Sequence, residues 1–113
     1  MTPLSEIFKA LGDPIRLEIV QRLTRGESFT IGDVSADLGV TRQGARKHLQ
    51  VLVDANMVRL EPKGRDVYVR FETDSLSDAK QFIAQVEKRW DSRLDALRQF
   101  VESSPEPASH LDK

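Results

Sequence analysis

At 113 residues, 39% of them hydrophobic, the chain has material for one domain with a single modest core. It has no cysteine, which excludes disulfides, thiolate metal sites and a cysteine nucleophile and agrees with a reducing compartment. No run of about 18 apolar residues exists to span a bilayer, and the start "MTPLSEIFKALGD" lacks the features of a secretion signal, so a soluble cytoplasmic protein with no membrane partner is expected. The formal net charge is -1 and the pI about 6.1, which argues against indiscriminate nucleic-acid affinity.

In "LSEIFKALGD", Leu4, Ile7, Phe8 and Leu11 recur at spacings of three, one and three, the pattern of an amphipathic helix that stops near Gly12. A second helix follows in "DPIRLEIVQRLTRGE". Asp13 is placed to cap it, Pro14 suits the first helical position, and Gly26 follows the last apolar residue. Its Leu17, Val20 and Leu23 are expected to face the core. "TIGDVSADLGV" predicts a short third helix with Thr30 as cap and Val34 and Leu38 inward, turned by Gly39 and Val40.

The next helix, capped by Thr41, carries Ala45, Leu49 and Leu52 at i, i+4 and i+7, a stripe that suits packing on the preceding helix. Arg42, Gln43, Arg46 and Lys47 fall outside the stripe. Two helices joined by a short turn containing Gly, the second showing donor-rich side chains from its first turns, is the helix-turn-helix arrangement for a DNA major groove. A guanidinium can donate two hydrogen bonds to guanine and a glutamine amide can pair with adenine, so Arg42, Gln43 and Arg46 are the candidate base contacts. Gly44 either lets the helix approach its partner closely or is simply tolerated. "MVRLEPKGRDVYVRFE" then alternates as a hairpin: Val58 and Leu60, a turn "EPKGR", and Val67, Val69 and Phe71. Lys63 and Arg65 flank Gly64 at its tip, placed to touch phosphates or a minor groove.

Between Val40 and Arg70 there are seven Lys or Arg against three acids, a balance of +4 inside a chain of -1. Such a segment concentrates positive field on one face, as a polyanion surface requires. Candidate phosphate contacts are Thr41, Lys47, His48, Arg59, Lys63, Arg65 and Arg70. For His48, packing at the junction of helix and hairpin stands beside a phosphate contact.

From Ser75 to Glu102 there is neither Gly nor Pro, and Leu76, Ala79, Ile83, Val86, Trp90, Leu94, Leu97 and Val101 follow at spacings of three and four. A helix of about 28 residues is about 42 Å long and needs something to bury its stripe. A two-fold homodimer supplies that burial through Leu4, Ile7, Phe8, Phe82, Ile83, Val86, Trp90, Leu94 and Leu97; folding back on the hairpin is the alternative. Two such subunits would keep acidic long helices away from the DNA. "SSPEPASHLDK" is polar with two prolines and is expected to be disordered. The expected fold is therefore mostly α with a small β-hairpin, a winged helix-turn-helix with a long C-terminal dimerisation helix. Residues 1–102 would form one domain, with a DNA-binding core at 4–72, a dimerisation helix at 75–102 and a tail at 103–113.

"FKALGDPIRLEIVQRL" followed by "TRQGARKHLQVLVDANMVRLEPKGRDVYVRF" resembles the ArsR family of bacterial winged-helix repressors over residues 4–72. The resemblance implies a homodimer that sits on an inverted-repeat operator in double-stranded DNA until an inducer releases it. Many members of the family sense metals, but its thiolate motif would fall here at Thr30 and Gly32, and its other ligand set needs histidine where this chain has only His48 and His110. No metal and no cofactor is therefore expected. Arg42 and Arg46 stand where many relatives carry shorter polar residues, so operator sequence does not transfer. "KRWDSRLDALRQF" resembles a branch of the family without metal ligands. A small-molecule inducer, a protein inducer and no inducer at all stay open. A winged helix used only for protein contacts is the competing class and would show exposed aromatics on the helix and hairpin, where only Tyr68 stands. No nucleophile motif, phosphate-cradling glycine loop or metal cluster supports an enzyme.

Overall fold

The computed structural model describes residues 2–103; the expected tail and His110 lie outside the described residues. In chain order the elements are α1 (Leu4–Leu11), α2 (Pro14–Thr24), β1 (Phe29–Thr30), α3 (Ile31–Leu38), α4 (Arg42–Asp54), β2 (Val58–Lys63), β3 (Asp66–Phe71) and α5 (Asp74–Ser103). Two compact units divide the chain, residues 1–79 and 80–113, and the division falls inside α5.

The helix starts follow the local chemistry. Asp13 Oδ1 accepts the backbone N–H groups of Ile15 at 2.8 Å and Arg16 at 3.2 Å, and Pro14 occupies the first position of α2 where no N–H is needed. Thr30 Oγ1 accepts from Asp33 N at 3.1 Å while Asp33 Oδ2 accepts from Thr30 N at 3.0 Å, a reciprocal capping box at α3. Thr41 Oγ1 accepts from Gly44 N at 2.9 Å and caps α4. At the other end of α4, Asn56 adopts φ 58, a left-handed conformation that Asn tolerates, and drops Met57 into the core.

Ile7, Ile19, Leu49, Leu52, Met57 and Val69 are the largest fully buried side chains, so the core joins α1, α2 and α4 to the inner face of the sheet. Ile7 therefore has no surface for a partner: it is 0% exposed within its own chain and leaves the expected dimer set, whereas Phe8 beside it is 38% exposed. Leu17 is corrected too. It is 41% exposed and Ile19 is buried instead, because α2 turns its Ile19–Val20–Leu23 face inward.

The sheet has three antiparallel strands in the order β1-β3-β2. The two-residue β1 pairs Phe29 with Val69 and Thr30 with Tyr68, a strand the hydrophobic pattern did not announce. β2 runs through Glu61, Pro62 and Lys63, all expected in the turn, and Pro62 is tolerated because β2 is an edge strand. Lys63 pairs with Asp66, leaving a two-residue loop in which Gly64 has φ 64, as a tight hairpin needs at that position. Ser75, itself buried, donates from Oγ to the carbonyl of Ala55 at 2.6 Å and ties the start of α5 to the end of α4.

Partial burial pushes the Asp13 carboxyl upward, but the N–H groups of Arg16 and Ile15 and the charges of His48 and Arg16 outweigh it and hold it below the usual carboxylate range. Its stabilisation is complete above its unfolded value of about 4 and is lost as pH falls through the lower folded value. Asp13→Ala is expected to lower stability by about 1 kcal/mol at pH 7, measured by urea denaturation, and the gap from wild type is expected to close as the pH is taken below about 4. A gap that holds constant into acid would contradict the ionic cap.

Candidate nucleic-acid interface

α3 and α4 are set by a turn in which Gly39 takes φ 67 and Ser35 Oγ donates to the Val40 carbonyl at 2.6 Å. That turn fixes where α4 starts, and with it the direction of the first two turns. Ala45, Leu49 and Leu52 are buried, so Arg42, Gln43, Arg46 and Lys47 stand exposed on the outer side of α4.

The basic side chains of the Val40–Arg70 segment separate into two groups. Arg59 is engaged by Glu72 in a short ion pair, with Glu61 at 3.8 Å. The Glu72 hydrogen bond and charge, with a lesser contribution from Glu61, raise the Arg59 pKa further against a small burial effect. Arg70 lies over the Tyr68 ring at 5.0 Å, bonds Ser28 Oγ at 3.2 Å and has Glu61 at 3.6 Å. Both therefore sit on a sheet face where arginine and glutamate alternate, and they are poor candidates for the phosphate role expected of them. By contrast, none of the ion pairs among the described residues involves Arg42, Arg46, Lys47, Lys63 or Arg65. These five cations occupy the first turns of α4 and the hairpin tip.

Three of them converge. A concavity of about 280 Å³ is lined by Arg42 and Arg46 from α4, by Thr30, Ile31, Gly32 and Asp33 from the start of α3, and by Arg65, Asp66 and Val67 from the hairpin. The helix and the hairpin tip thus share one surface, which sequence order alone suggested but could not position. Gly32 is the residue of this concavity whose place sequence reasoning did not foresee. A Cβ built on it would meet Arg42 Nη2 at 3.2 Å, so the Arg42 guanidinium lies back over the bare backbone of α3 and not straight out from α4. Gly44 has a local reason as well, since a Cβ there would press on the capping Thr41 Oγ1 at 3.1 Å.

His48 is engaged at the corner between α1 and α2. Its Nδ1 lies 3.2 Å from Arg16 Nη1 and 3.8 Å from Asp13 Oδ1, at the start of α2. A guanidinium only donates, so in the neutral imidazole Nδ1 accepts from it, and a protonated ring instead sets its charge beside Asp13. Arg16 itself donates from Nε to the Ala10 carbonyl at 2.8 Å and from Nη2 to the Lys9 carbonyl at 3.4 Å. His48 thereby locks α4 to the α1–α2 corner. Among the described residues no group of three or more His, Asp or Glu side chains is placed to hold a metal ion. Thr30 and Gly32, where the resemblance would put thiolates, serve the α3 cap and the Arg42 approach.

The chain matches the helix-turn-helix domain family over residues 11–61. It is 36% identical over 78 residues to the HTH-type transcriptional regulator YuzN of Bacillus subtilis, covering 64% of this chain and 85% of that one. It is also 26% identical over 91 residues to the transcriptional repressor SdpR of Bacillus subtilis, covering 80% of this chain and 100% of the relative. Among solved structures, an ArsR-like transcriptional regulator from Rhodococcus sp. RHA1 superposes with a TM-score of 0.70 at 30% identity, over 86% of this chain and 91% of that one.

Proposed function

The chain belongs to the ArsR family of winged helix-turn-helix transcriptional regulators and is a DNA-binding regulator; we propose that it acts as a homodimeric repressor on an inverted-repeat operator and that its response does not depend on a metal. One observation carries the reading: five cations with no ion pair among the described residues, Arg42, Arg46, Lys47, Lys63 and Arg65, stand on the first turns of α4 and at the hairpin tip, beside the turn that aims α4. Cations already neutralised by carboxylates gain little from a phosphate, whereas unpaired ones release condensed counterions when they meet it.

In this reading Gln43 and Arg46 read base edges from the major groove. Thr41, Lys47, Lys63 and Arg65 hold the backbone. His48, Arg59 and Arg70 are left to structure, for the contacts described above.

A partner is supported by the surface of α5. Trp90 is 57% exposed, Leu94 52% and Leu97 59%, with Ile83 and Val101 exposed and Val86 partly buried on the same stripe. Isolated exposed apolar residues are ordinary, but a contiguous large apolar strip marks an interaction surface. A second copy is the occupant that also places two α4 helices for half-sites about 34 Å apart. Leu4, Phe8 and Phe82 are the other residues proposed to meet the second copy, with Ile7 removed from the set. The cytoplasm is the compartment in which such a regulator would meet its DNA, and among the described residues no helix is long and apolar enough to cross a membrane.

Binding of the purified protein to its own upstream DNA at two salt concentrations, with footprinting, tests the function. Protection of an inverted repeat that weakens steeply as salt rises is expected; absent or salt-insensitive binding would give α4 to a protein partner instead. Arg46→Ala should relax base preference by about 1–3 kcal/mol at one position, while Lys63→Ala should weaken all sequences alike. For the assembly, Leu94→Asp combined with Leu97→Asp should convert dimer to monomer in light scattering and lose operator protection. A double variant that stays dimeric would move the interface elsewhere. Zinc added at micromolar concentration should leave operator binding unchanged.

A further inference from the structure

We infer that the concavity between α3, α4 and the hairpin tip is a seat for one phosphodiester of the DNA backbone, built by Arg42 and Arg65 and kept open by Gly32. This inference rests on the DNA-binding reading and moves Arg42 from the base-reading set to the backbone.

The charge of the concavity suits one such group. Arg42, Arg46 and Arg65 line it together with Asp33 and Asp66, three cations against two carboxylates, which leaves an excess of one positive charge. Asp33 Oδ2 is held in the capping box by the bond from Thr30 N. None of the three arginines has an ion pair with either aspartate among the described residues. A guanidinium presents a rigid fork that fits two phosphate oxygens, and two forks from different elements fix the backbone in register.

The position of Arg42 depends on a missing side chain. With Nη2 3.2 Å from where a Cβ of residue 32 would stand, a methyl group there makes the guanidinium give by a few tenths of an ångström and so alters its approach to α3. Gly32 has no left-handed φ, so the backbone does not require glycine. It is in the first turn of α3, where alanine is a better helix former. Glycine at this place therefore disfavours the helix, and the space it leaves is the space Arg42 uses. Arg65 comes from the two-residue loop at the hairpin tip, so the seat exists only when the hairpin and the helix-turn-helix are packed as they are here.

The test is a double-mutant cycle on operator binding, read across a salt series on the full chain. Arg42→Ala is expected to weaken every sequence alike and to reduce the slope of log affinity against log salt by about one. Gly32→Ala is expected to melt no lower than wild type and yet to lose affinity by about tenfold, the loss expected of a displaced charge-assisted contact. In the Arg42→Ala background, Gly32→Ala should cost nothing more. Two results would overturn the seat. One is an Arg42→Ala protein whose salt slope is unchanged while its base preference shifts. The other is a Gly32→Ala loss that persists in full without Arg42, which would mean that the DNA itself meets residue 32. Inorganic phosphate that raises the melting temperature of wild type but not of Arg42→Ala, with the DNA salt slope unaltered between the two, would assign the seat to a free anion and likewise overturn it. Failure of wild type to bind its upstream DNA is visible before any variant is compared, and sinks the DNA-binding reading along with the seat.

Discussion

The corner between α1 and α2 is the constraint on which the rest of the fold depends. Within one short turn Asp13 closes the start of α2, while Arg16 reaches back to the last carbonyls of α1 and sideways to His48 in α4. Three helices are thus tied by two side chains whose donors and acceptors are matched: carbonyls and an imidazole nitrogen accept, a guanidinium donates, and backbone N–H groups meet a carboxylate. This is the physical content of the phrase "ALGDPIRL" that carried the resemblance. Gly12 ends one helix, Pro14 permits the next to start, and Asp13 and Arg16 set the angle at which α4 is presented. A DNA-reading helix is useful only when its direction is fixed, and a corner of charge-assisted bonds fixes direction better than apolar packing alone.

Charge is sorted within the protein by pairing as much as by position. The outer face of the sheet holds Arg59 and Arg70 among Glu61 and Glu72, and such exposed pairs add little stability. What they do is remove two cations from competition for DNA. The expected acidic long helix is not found: α5 carries six acids against five Lys or Arg, close to neutral. The negative charge gathers instead at its start, where Glu72, Asp74 and Asp78 line a separate concavity of about 500 Å³ with Arg59 and Asn56. Asp74 also lies in the first turn of α5, where the helix dipole favours an acid. Positive charge is in excess on α4 and the hairpin tip, which reconciles local polyanion affinity with a net charge of -1.

Local rules were legible in the sequence and lateral ones were not. Caps at Asp13, Thr30 and Thr41 are chemistry between residues at most three apart, and each forms as expected. The length of the long helix follows from the absence of any breaker and is met within a residue at each end. The errors concern which neighbour a side chain meets. β1 is two residues long and exists only because β3 lies beside it, so no periodicity could announce it. Glu61, Pro62 and Lys63 carry strong turn signals, yet β3 holds them in register as a strand. Leu17 and Ile19 are both apolar, and only the packing of α2 decides between them. At the candidate site the sequence supplied the cations but not their availability: the partners of Arg59, Arg70 and His48 lie 13, 42 and 32 residues away. Gly32 gave no signal at all, since a glycine in a short helix is indistinguishable from a tolerated one until Arg42 is seen lying on it.

The apolar stripe of α5 carries a geometric statement of its own. From Ile83 through Val86, Trp90, Leu94 and Leu97 to Val101 it advances 18 residues in five steps, an average of 3.6. Counted from Leu76, where the stripe begins, the advance is 25 residues in seven steps, an average between the 3.6 of a straight α-helix and the 3.5 of helices that wind around each other. From Ile83 to Val101, over about 27 Å, the stripe stays on one side. In the proposed dimer, the contact on this strip would be centred on its bulkiest residues. Trp90, the only tryptophan and the middle of the strip, supplies that centre.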